Sequence, residues 1–86
     1  MAPTLAEIVA DWFEDNKETH NLSYWHVVGN KIKRRSFDNS YYIPFIIQHD
    51  RVRIRSNYGE ILASDPDFFN NLLNIIQEKE TYYHGH

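Results

Sequence analysis

A chain of 86 residues is short enough to form one domain, and at this length folding hides only about 60–65 % of the surface that the unfolded chain exposes. Its 42 % hydrophobic and 24 % charged residues exclude a persistently disordered chain, and the absence of cysteine excludes a disulfide framework, a thiolate metal site and a cysteine nucleophile. No apolar run approaches the roughly twenty residues of a membrane span, and the first residues lack a basic and apolar leader. The expectation is therefore a cytoplasmic protein with no membrane partner.

Thr4, with Glu7 three residues on, gives a capping box. Leu5, Ile8, Val9, Trp12 and Phe13 then recur at helical spacing, which predicts an amphipathic helix ending around Asn16 to His20. From Leu22 the period changes to two. Tyr24–Val28, the dipeptide Gly29-Asn30 and Lys31–Arg35 read as a β-hairpin, and pairing outward from the loop sets Val27 against Ile32 and Trp25 against Arg34. Asp38-Asn39-Ser40 is a turn cluster. Tyr41–Gln48 then pairs through a His49-Asp50 loop with Arg51–Arg55, setting Ile47 against Val52 and Phe45 against Ile54. Pro44 lacks a ladder donor, so it requires an edge strand, a strand start or a bulge.

A further turn at Asn57–Glu60 leads to a short strand over Glu60–Ala63. Ser64-Asp65-Pro66-Asp67 opens a second helix, whose apolar face holds Phe68, Phe69, Leu72, Leu73, Ile75 and Ile76 and which fades near Glu80. The fold expected is α+β: an N-terminal helix, an antiparallel β-sheet of four to five strands in consecutive hairpins, and a C-terminal helix. Both helices are placed on one face of the sheet, because only the face with Trp25, Val27, Ile32, Phe45, Ile47, Val52 and Ile54 is apolar. The domain is assigned to residues 1–80, with 81–86 a frayed tail. Trp12, Phe13, Trp25, Val27, Phe45, Ile54, Phe69 and Leu72 are the expected core.

Net charge is −3, but it is segregated. Seven of the nine basic residues fall between Lys31 and Arg55, against two of the twelve acids. Alternation turns Lys31, Lys33, Arg35, Arg51, Arg53 and Arg55 to the face opposite the core, together with Tyr24, His26, Val28, Tyr42 and Ile46. Cations that track phosphates beside rings that stack bases are what single-stranded nucleic acid requires. The expected binding residues are thus Lys31, Lys33, Arg35, Arg51, Arg53, Arg55, Tyr24 and Tyr42. The plain alternative is that arginines keep an exposed sheet soluble and block edge pairing. A protein-interaction module, dimeric or facing an acidic protein surface, would use the same side chains.

Catalysis is not expected. Asp11, Glu14 and Asp15 form a solvated helix face, Ser64 reads as a cap, and three glycines make no phosphate-cradling loop. Of the five histidines only His84 and His86 form a close pair, which is too few ligands for a folded metal site, so no cofactor or metal is expected.

Overall fold

The computed structural model describes residues 2–35, 41–54 and 59–84, with side chains in the last helix followed to residue 81. The expected turn at Asp38–Ser40, the first two residues of that expected at Asn57–Glu60, the expected binding residue Arg55 and the tail histidine His86 lie outside the described residues, whereas Gly59 and Glu60 lie in a strand. The elements are α1 (Leu5–Asn16), β1 (Trp25–Val28), β2 (Lys31–Arg35), β3 (Tyr41–Ile47), β4 (Arg51–Ile54), β5 (Gly59–Leu62) and α2 (Phe68–His84). The five strands form one antiparallel sheet in chain order, as consecutive hairpins make it. Among the described residues no helix is long and apolar enough to cross a membrane.

Thr4 caps α1, its hydroxyl oxygen accepting from the Glu7 N–H at 3.2 Å. A turn over residues 17–20 follows the helix and ends where Asn21 adopts a φ of +56° and the Leu22 N–H returns to the Lys17 carbonyl at 2.8 Å, a Schellman-type stop whose following residue, Leu22, is fully buried. The β1–β2 hairpin turns on Gly29, whose φ of +61° is the value a type II′ turn asks of its first loop residue. Its register is the expected one, with Val27 opposite Ile32 and Trp25 opposite Arg34. The β3–β4 pairing also follows expectation, with Ile47 opposite Val52 and Phe45 opposite Ile54.

Pro44 is accommodated by a bulge. Ile32 faces Phe45, but Arg34 faces Tyr42, so two residues of β3, Ile43 and Pro44, oppose Lys33 alone. Inserting one residue where the chain has no N–H to donate lets a proline sit in the central strand of the sheet. The bulge also shifts the phase of everything before it in β3.

Buried residues from both helices, the loop residue Leu22 and all five strands form one cluster, including Val9, Phe13, Trp25, Ile32, Phe45, Val52, Ile61, Phe68, Leu72 and Ile76. Of the expected core, Phe13, Trp25, Phe45, Ile54 and Leu72 are buried, whereas Trp12, Val27 and Phe69 are half-buried at its edge. Trp12 and Phe69 stack with ring centroids 5.3 Å apart, joining the two helices.

The helix α2 extends to His84, four residues beyond the expected fading at Glu80. At Glu80 the helix is tied to the sheet. Its carboxylate accepts from Trp25 Nε1 at 2.6 Å, from Arg34 Nε at 2.5 Å and from Arg34 Nη2 at 3.2 Å. Arg34, on the core side of β2 and 7 % exposed, also donates from Nη1 to the Arg35 carbonyl and lies 5.6 Å from the Tyr24 ring centroid. A bidentate guanidinium–carboxylate pair satisfies the polar atoms of both side chains where the core meets the end of the sheet.

Candidate nucleic-acid interface

Positions alternating with the core form the other face of the sheet. One row across it, set by register, runs Val28, Lys31, Ile46, Arg53 and Glu60 through the five strands. Adjacent strands lie about 4.8 Å apart, so the cations of this row are interleaved with apolar atoms at close range. Lys33 and His26 form the next row, and Arg35 pairs with Tyr41 beyond it. Lys31, Lys33, Arg35, Arg51 and Arg53 therefore reach the face on which alternation placed them.

Two expected residues do not. The bulge at Ile43-Pro44 puts Tyr42 opposite Arg34, on the core side, where it is half-buried. In its place Tyr41, 54 % exposed, lies on the basic face. Lys33 Nζ stands 5.8 Å from the Tyr41 ring centroid and the His26 ring 6.5 Å from it, edge toward face. Tyr24 is exposed, but its ring lies against Arg34 and lines a cleft with Gln77 and Glu80 of α2. It belongs to the helix side. Pro44 itself was the signal that could have found Tyr41. Once a bulge is placed there, alternation counted backward from Phe45 changes face, and the outward ring becomes Tyr41.

The basic residues also differ in their partners. Arg51 donates to Asp50 from Nε at 2.9 Å and from Nη2 at 3.2 Å, and to Glu60 from Nη1 at 2.8 Å. These hydrogen bonds hold the Arg51 guanidinium firmly charged, and the bond from Arg51 lowers the Asp50 carboxyl below its ordinary value. Arg51 is thus offset locally. By contrast, Lys31, Lys33 and Arg53 have no carboxylate within ion-pair distance among the described residues. Glu60 lies opposite Arg53 in register, yet its carboxylate turns to Arg51. The positive potential is therefore centred on β2, the Tyr41 end of β3 and Arg53, and it falls off toward β5.

Val28 and Leu62 leave apolar atoms exposed on the same face, with Ile46 half-buried between them. Among the described residues, no three His, Asp or Glu side chains are placed to hold a metal ion. The face can neutralise phosphates, stack a ring and bury a few apolar atoms. No protein-family model, characterised protein or solved structure matches this chain.

Proposed function

We propose that this is a non-enzymatic binding protein whose open sheet face takes single-stranded nucleic acid. The observation that carries the reading is that Lys31, Lys33, Arg35 and Arg53 share the face turned away from the core, with Lys33 and Arg35 beside the exposed Tyr41 ring and Lys31 and Arg53 flanking Ile46 further along β3. The cations meet the backbone of the strand, and a base stacks on Tyr41, a contact that contributes about 1–3 kcal/mol. A soluble cytoplasmic setting suits this ligand. A second reading rests on Val28, Ile46 and Leu62, whose apolar atoms are interleaved with the cations. Such a surface also suits an acidic protein partner or a homodimer that covers them.

Salt dependence separates the two. Phosphate contacts release counterions, so engagement of these four cations gives log K against log salt a slope of roughly −3, at about −0.7 per contact with a single strand. Fluorescence anisotropy with labelled DNA and RNA oligonucleotides measures it. Arg53→Glu is expected to weaken binding and flatten the slope, whereas Lys17→Glu, on the α1 side, leaves both nearly unchanged. Failure of either nucleic acid to bind at low salt, or equal loss from both substitutions, refutes the proposal.

A further inference from the structure

We infer that the outer edge of β5, with the groove between it and α2, docks an extended peptide segment in which basic and apolar residues alternate. In an antiparallel pair, successive residues turn their backbone groups alternately toward and away from the neighbour. The Ala63 N–H donates to the Asp50 carbonyl at 2.8 Å, so Ala63 faces β4 and, stepping by two, so do Ile61 and Gly59. Glu60 and Leu62 then point their N–H and C=O groups outward; the Leu62 carbonyl accepts from the Asp65 N–H at 3.1 Å, which leaves both N–H groups and the Glu60 carbonyl, and among the described residues no strand pairs with that side. Both are exposed, and Leu62 presents its side chain as well. This is a template for strand addition.

Beside it lies a groove of about 430 Å³. Ile61 and Ile75 give it apolar walls, Asn71 and Asn74 line it from α2, and Glu60 and Asp65 stand at its rim. None of its lining residues is cationic. Arg51 bonds Glu60 but is shared with Asp50, so that trio still carries a negative charge. A second copy of this chain would set the same carboxylates against these, whereas a basic strand meets them with opposite charge. Side chains of an added strand alternate between faces, so its apolar residues enter the groove while its basic residues lie beside Glu60. At the opposite edge of the sheet the Trp25 N–H bonds the Leu22 carbonyl at 3.0 Å, and the adjoining cleft mixes Lys17 with Glu14 and Glu18, whereas the groove beside β5 holds no cation.

The test uses the full chain, labelled for amide NMR, and a capped peptide of alternating lysine and valine. The Glu60 and Leu62 amides are expected to shift and gain exchange protection. A peptide N-methylated at its pairing positions, or one of alternating glutamate and valine, produces neither effect. Asn74→Arg, an exposed helix position, is expected to weaken binding about five-fold without changing the melting temperature. Leu62→Pro removes one outward donor and weakens it further. Equal binding of the glutamate peptide overturns the inference, as do shifts confined to Lys33 and Tyr41. Movement of the β5 amides on dilution without peptide would assign the edge to a second copy and overturn it as well.

Discussion

Removing the Glu80 carboxylate takes an acceptor from two groups: the Arg34 guanidinium, 9 % exposed in its side chain, and the Trp25 indole N–H. Breaking one side of a buried ion pair costs about 3–5 kcal/mol. The 16 % exposure of Glu80 and the bond that Arg34 keeps to the Arg35 carbonyl bring the expectation for Glu80→Ala to about 2–4 kcal/mol. A chain of this length is stable by roughly 4–13 kcal/mol at about 0.05–0.15 kcal/mol per residue. The single substitution therefore takes a large share. At about 4–8 °C per kcal/mol it lowers the melting temperature by at least about 8 °C.

Urea denaturation followed by tryptophan emission reads the effect as a lower midpoint at unchanged slope. The paired substitution Arg34→Met with Glu80→Leu provides the control. It removes both charges together, and replacing a buried pair by apolar groups of similar volume is often neutral or stabilising. No unpaired buried charge is then created, so the double variant is expected to be more stable than Glu80→Ala. Loss of less than about 0.5 kcal/mol in Glu80→Ala, the level of an ordinary surface change, would refute the account. A double variant as damaged as the single one would do the same.

Two further outcomes follow from the sheet. Tyr41→Ala is expected to lower affinity for single-stranded oligonucleotides by the ~1–3 kcal/mol of one stacked base and to leave the salt slope unchanged, whereas Tyr42→Ala lowers stability and leaves affinity nearly intact. Anisotropy and urea titrations on both variants check this division. The Asp50 carboxyl is lowered below its ordinary value of 3.8 by its bond from Arg51, so its contribution to stability is full above that value and disappears as pH falls through the depressed one. Asp50→Asn is accordingly expected to lose stability at neutral pH and to match the parent chain in strong acid, measured by urea midpoints across pH.

Most of the fold was legible because its signals are local. The change of period from helical to alternating, read from Leu22, marks the end of the helical segment, and the Gly29-Asn30 loop and the Arg-Val-Arg-Ile alternation of β4 each fix a register without knowledge of anything distant. The five outward cations described here followed from those registers. What was not legible depends on partners far away in sequence. Alternation placed Tyr24 on the open face, but the Arg34 guanidinium on the neighbouring strand draws its ring to the helix side. The extension of α2 past Glu80 could not be read from apolar spacing, and the carboxylate that ties the helix to the sheet bonds residues 46 and 55 positions earlier. Tyr42 failed for a local reason: Pro44 announced three possible irregularities, and only a bulge reverses the face of the residues before it.

The Arg34–Glu80 pair also bears on why the cations gather where they do. In the run Lys31-Ile32-Lys33-Arg34-Arg35, basic residues occupy both faces of the strand, so apolar patterning alone holds its register only through Ile32. A slip of one residue would turn Lys33 and Arg35 toward the core and Arg34 outward. Glu80 opposes that slip. Its two oxygens match the fork of one inward guanidinium, which a lysine ammonium at the same place would not reproduce. The Trp25 indole, on the adjacent strand and opposite Arg34, donates to the same carboxylate, so the pairing of β1 with β2 is fixed by the same contact. One inward arginine, held by α2, thus keeps Lys31, Lys33 and Arg35 on the open face. The bulge at Pro44 then turns Tyr41 to that face beside them. The surface proposed to meet nucleic acid therefore rests on a contact made on the other side of the sheet.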